Sequence, residues 1–194
     1  MLWGAHQGGL ELRSVGGETR LRATFPYGRE TVLAEGGRGG QTRKEVIAPR
    51  AFAARIAAGE DIHFLSGHDF EKPLASRAAG TLTLTDTAAA LIMEAVIAAE
   101  LRAVSYVADF LAAQAAGLIT GLSPGFRVPA EPGAETVEAK RDGAILRTVR
   151  KAQLFELSAV TRPAYPEAQI EARSWQATEA PSPRPSHPLN RWRL

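Results

Sequence analysis

The sequence predicts a mainly β fold with a few helices, a closed or nearly closed antiparallel barrel wrapped by helices. Two observations lead there. Short segments of alternating apolar and polar residues recur along the chain, and their turn signals bring them together as hairpins. One long stretch with a helical period sits between the hairpins, so the order of elements excludes a regular alternation of strand and helix. With 194 residues and 45% hydrophobic content, the chain can bury one real core. One domain over residues 1–174 is expected, with residues 1–42 its least defined part.

Residues 1–40 read as two half-buried strands, from Leu10-Glu11-Leu12-Arg13 and from Leu21 to Tyr27. Gly36 to Gly40, broken only by Arg38, is a flexible loop, and without a following Gly-Lys-Ser/Thr it is no phosphate cradle. Pro49 opens a short amphipathic helix with Phe52, Ala53 and Ile56 on one face, and Gly59 closes it. The run from Ile62 to Asp69 is a strand ending in a polar loop that also holds Glu71 and Lys72. Gly80 to Asp86 and Leu91 to Ile97 alternate around a turn and form a hairpin.

From Ala99 to Ala116 the period lengthens. Leu101, Val104, Ala108, Leu111, Ala112 and Ala115 recur at three and four residue steps, and Gly117 supplies the stop, which predicts one long helix. Leu118-Ile119-Thr120 reads as a short buried strand, after which Ser123 sits where the strand breaks, between Gly121 and Gly125. Residues 135–140 and 144–150 form a hairpin across Arg141-Asp142-Gly143, whose Asp-Gly pair is a strong turn signal. Leu154 to Val160 is the last strand. Beyond Ser174 the composition shifts to Pro, Ser, Arg and Thr, and residues 175–194 are expected to be a disordered tail, with Trp175 and Trp192 as candidate docking anchors.

A formal net charge of +2, with no basic stripe interleaved with aromatics, argues against nucleic acid as a partner. Cysteine is absent, which removes disulfides, thiol nucleophiles and Cys-based metal sites. No metal or other cofactor is expected. No apolar run approaches the roughly 20 residues of a membrane span, and no leader pattern opens the chain, so a cytoplasmic protein away from the membrane is expected.

A serine displayed between glycines becomes a nucleophile only with a base and a group that orients the base. His6 lies near one end and His187 in the Pro-rich tail; His63 is mid-strand beside Phe64 and Leu65. His68, after Gly67 at the exit of that strand, is the best placed base, and a surface histidine bonded to Asp69 is the competing reading. The spacing Gly121-x-Ser123-x-Gly125 also fits the nucleophile elbow of an α/β-hydrolase. An elbow needs a helix directly after the serine, however, and Pro124, Gly125 and Pro129 forbid one.

Taken in order, Arg50-Ala51-Phe52, Ser66-Gly67-His68-Asp69 with Pro73-Leu74-Ala75, Gly80-Thr81-Leu82, Gly121-Leu122-Ser123-Pro124-Gly125-Phe126, and Leu154-Phe155-Glu156-Leu157-Ser158-Ala159-Val160 with Pro163-Ala164 resemble the prohead maturation proteases of tailed bacteriophages, or their counterpart in gene transfer agents. The resemblance covers roughly residues 43–172. It implies a fold similar to the herpesvirus assembly protease and a serine endopeptidase in which His68, Ser123 and Glu156 are catalytic. Glu156 would fix the His68 tautomer; a solvated strand carboxylate is the alternative, with Asp69 or Asp142 then the third group. Pro124 carries no N–H, so oxyanion donors are sought at Gly125 or around Arg162. The implied substrate is the scaffold portion of the major capsid protein inside an assembling prohead, with self-cleavage as a second reaction and a homo-oligomer compatible. An assembly or scaffold component without useful activity and a generic Ser-His hydrolase are the competing functions.

Overall fold

The computed structural model describes residues 10–15, 18–37 and 40–161. Among the described residues twelve strands pair into three four-stranded sheets. In the first, β1 (Leu10–Val15), β2 (Glu18–Pro26), β8 (Ala90–Ile97) and β7 (Leu82–Asp86) lie side by side, all antiparallel. The second has the order β10 (Glu135–Ala139), β11 (Ile145–Val149), β4 (Arg43–Ile47), β3 (Thr31–Ala34). The third runs β6 (Asp69–Ser76), β5 (His63–Ser66), β12 (Gln153–Val160), β9 (Gly121–Arg127). The mainly β class is as the alternation predicts, but the sheets are not wholly antiparallel: β4 with β11 and β5 with β12 run parallel. Among the described residues the pairings do not close into one ring.

Both predicted hairpins form, β7–β8 and β10–β11. In the second, Gly143 takes φ +81° and the Asp142 carboxylate accepts the Ala144 N–H at 3.0 Å, as its Asp-Gly pair requires. Other expectations are corrected. Strand β4 goes unseen in the sequence because one of its two inward positions is a carboxylate: Glu45 is buried, and it is held by Arg147, itself 2% exposed, at 3.2 Å. Glu135 on β10 pairs with the same guanidinium. The helix expected from Pro49 starts later, as α1 (Ala53–Ala57), after a turn in which Arg50 adopts φ +58°. The polar loop after His68 is instead strand β6, which turns back along β5.

The long helix is two pieces. A 3-10 helix, Ala99–Ala103, gives way at Val104, whose extended backbone (ψ 129°) separates it from α2 (Ser105–Ala115). The face α2 buries carries Val107 and Phe110 rather than Ala108, Ala112 and Ala115, since the larger side chains bury more apolar area. Phe110 meets Phe64 of β5 edge to face. Leu118 is 65% exposed and Leu118-Ile119-Thr120 forms no strand; pairing with β12 begins at Gly121.

One core joins the sheets. Leu21 and Met93, Ile47 and Val149, and Phe64 and Leu157 belong to a single buried cluster that draws on all three. Phe52, fully buried, sits at its centre, with ring centroids of Phe25, Tyr27 and Phe126 at 6.3, 6.1 and 5.5 Å. Among the described residues no helix is long and apolar enough to cross a membrane.

Candidate functional site

The site is assembled on the third sheet. Strands β5 and β6 are joined by a two-residue turn, Gly67-His68, closed by the Ser66–Asp69 pair. Both central residues have positive φ, +68° and +63°, the conformation that matches strand twist in the tightest hairpins. Gly67 takes it without strain; His68, which carries a Cβ, does not. Its backbone is pinned from the neighbouring strand, as the His68 N–H donates to Ser158 Oγ at 2.9 Å and the Gly67 N–H to the Ala159 carbonyl at 3.1 Å. The ring is thereby held at the end of the sheet, with its side chain 40% exposed.

Glu156 reaches that ring from β12. Its Oε1 lies 2.8 Å from His68 Nδ1, and its Oε2 accepts from Ser158 Oγ at 2.6 Å. A carboxylate can only accept, so Nδ1 carries the proton and Nε2 is left as the basic nitrogen. Glu156 is nearly buried, and its two oxygens are each satisfied by one of these partners. Space for it comes from the next strand. Gly125 stands opposite Glu156 on β9, and a Cβ there would fall on the carboxylate. Strict alternation along β12 would put Leu154 on the face of Glu156, but a β-bulge between the two leaves Phe155 without a partner on β9 and returns Leu154 to the core.

Ser123 lies inside a strand, not in a turn where a strand breaks. It pairs directly with Ser158 across the β9–β12 ladder, so Ser123, Ser158 and Glu156 project from one face of the sheet. Facing residues in an antiparallel pair have Cβ atoms about 5 Å apart. The register thus brings Ser123 beside the hydroxyl that contacts both His68 and Glu156. Pro124 is tolerated in β9 because this strand forms an edge of its sheet, where a missing N–H need not break a ladder.

The other candidates are elsewhere. Asp69 turns away from His68: Oδ2 pairs with Lys72 at 3.0 Å and Oδ1 accepts the Glu71 N–H at 2.9 Å, and these two contacts, Lys72 first, hold its carboxyl below the usual range. Asp142 belongs to the second sheet and bonds Lys44. His63 stands beside Glu156 in the β5–β12 register, but its ring meets Asp61, at 3.4 Å, and Phe70. His6, Arg162, His187 and the tail after residue 174 lie outside the described residues. A cavity of about 260 Å³ bordered by Ser66, Lys72, Tyr106 and Phe110 opens on the α2 side of the sheet, opposite to the face that carries Ser123. Among the described residues no three His, Cys, Asp or Glu side chains gather as metal ligands.

Ser158 has no assigned role in the sequence, although it shares the alternation of Glu156. The one signal that could have found it is that period of two, Glu156-x-Ser158, in a strand otherwise fully apolar after Glu156.

The family model of the caudovirus prohead serine proteases matches residues 27–181, well over half of the chain. Among curated proteins and among solved structures nothing matches.

Proposed function

The chain belongs to the caudovirus prohead serine protease family, and we propose that it is a serine endopeptidase that cuts the scaffold portion of the major capsid protein during prohead assembly. The observation that carries this reading is the 2.8 Å contact between His68 Nδ1 and Glu156 Oε1, on the sheet face that also presents Ser123. In the proposed reaction Ser123 Oγ attacks the scissile carbonyl and His68 Nε2 takes its proton. Glu156, engaged at both oxygens by His68 and Ser158, stabilises the imidazolium; the proton then passes to the leaving amine. Pro124 has no N–H to offer, so the oxyanion donor is sought at the Gly125 N–H or, outside the described residues, around Arg162.

A likeness to the barrel of the herpesvirus assembly protease, packaging within the prohead and removal of the chain's own tail belong to the same proposal. Co-expression with the neighbouring capsid subunit, followed by intact mass measurement of both chains, tests it. Ser123→Ala and His68→Ala should each leave the capsid subunit uncut while the variant stays folded. Processing by Ser123→Ala at the parent rate would overturn the protease reading and favour an assembly component.

A further inference from the structure

The Ser158 side chain touches both the backbone carrying the proposed base and the carboxylate behind it. Its hydroxyl has one proton and two lone pairs. The proton goes to Glu156 Oε2 at 2.6 Å, and a lone pair accepts the His68 N–H at 2.9 Å. The residue is 0% exposed, so no water can replace either bond without a rearrangement.

We propose that Ser158 is a positioning residue for the His68–Glu156 pair. The proposal rests on the reading of Ser123, His68 and Glu156 as the reacting set. Two degrees of freedom have to be fixed for that set to work. The His68 backbone sits at φ +63°, a conformation that a residue with a Cβ leaves readily unless something holds it. The Glu156 carboxylate has to present Oε1 to Nδ1 rather than rotate about its terminal torsion, which is broad and intrinsically soft. A single hydroxyl constrains both, because it is bonded to the two groups at once. Since Ser158 also faces Ser123 across the ladder, the same residue sets the spacing between the nucleophile's strand and the base.

The expected consequence is loss of nucleophile activation without loss of peptide binding. Ser158→Ala removes both bonds. Ser158→Cys keeps nearly the same volume but offers a weak donor and a weak acceptor, so it serves where alanine fails to fold. Two readouts are used on the full chain. The first is the rate of covalent labelling by an alkyl fluorophosphonate: Ser123 Oγ forms the bond to phosphorus, fluoride leaves, and His68 Nε2 takes the proton. The second is the split of kcat from KM on a peptide spanning a cleavage site found by mass measurement.

Labelling should slow by tenfold or more in a folded Ser158 variant, with kcat falling by a similar factor and KM within about twofold of the parent. The downfield proton resonance of the His68 Nδ1–H, expected in the parent, should broaden or vanish in the variant. A purely structural role would lower the melting temperature and leave labelling and the resonance as in the parent; that outcome overturns the proposal. If the parent itself is not labelled at Ser123, the protease reading fails instead, so the two failures are told apart.

Discussion

Replacing Gly125 with alanine would set a methyl group where the Glu156 carboxylate now lies. The carboxylate has nowhere else to accept, because one oxygen is engaged by His68 and the other by Ser158. Gly125→Ala should therefore destabilise the fold by about 1–3 kcal/mol, the usual cost of overpacking. Cleavage should fall by far more than the loss of folded protein explains. Activity per folded molecule, with folding followed by circular dichroism, checks this; parent-like turnover would mean that Glu156 does not need its present position. Tyr27 offers a pH test. It is buried, and its hydroxyl donates to Asp86 at 2.8 Å; burial first, then this bond, push its pKa well above the ordinary value near 10. The folded chain thus keeps the proton that the unfolded chain loses above pH 10, so stability is full below that value and falls as pH rises past it. Tyr27→Phe should make the alkaline decline of the urea midpoint shallower, and an unchanged slope would refute the linkage.

At the scale of elements, the second sheet adds a buried ion-pair cluster to the apolar area that it buries. Arg147 on β11 lies between Glu45 on the parallel neighbour β4 and Glu135 on the antiparallel neighbour β10. Removing the cation would leave carboxylates facing each other with little water, a change that costs about 3–5 kcal/mol in comparable buried pairs. Arg147→Ala should lower stability by that amount in urea unfolding, while the fraction that remains folded cleaves normally, because the proposed catalytic face lies on the third sheet. A loss under 1 kcal/mol would show that solvent enters freely there. The same triad explains why β4 is hard to see in sequence: the residues Arg43-Lys44-Glu45 read as a solvated run, and only Arg147, about a hundred positions on, makes Glu45 an inward residue. The division of the predicted long helix has a comparable cause. Its composition favours helix throughout, and the break comes at Val104, where the backbone turns extended between the 3-10 segment and α2.

For the whole molecule, the shared core makes the three sheets one cooperative unit. Phe25 of the first sheet, Val149 of the second and Phe126 of the third all pack into or against the same cluster, and Phe52 touches two of the three directly. Far-ultraviolet and near-ultraviolet circular dichroism should accordingly report coincident urea transitions for the chain. Separated transitions would mean that one sheet unfolds on its own.

The hairpins, the final strand and the mainly β class were legible before any coordinates, because each depends on local chemistry, whereas His68, Ser123 and Glu156 were candidates that the resemblance to a family supplied. An Asp-Gly turn, an alternation of period two and an ordered set of short motifs are properties of contiguous residues. Tertiary structure alone decided the parallel pairings of β4 with β11 and β5 with β12, whose partners lie about a hundred residues apart. It also decided that Ser123 sits inside a strand rather than at a turn, since the flanking glycines allow both and only pairing with β12 selects one. Gly125 likewise reads as a turn residue in the sequence, and becomes the space for a carboxylate only when Glu156 is placed across from it. The sequence by itself determined which chemical groups are present and which segments are locally strand or turn, because those follow from neighbours along the chain. Their juxtaposition was decided by the sheet register, which is fixed by burial summed over the whole core and by no single segment.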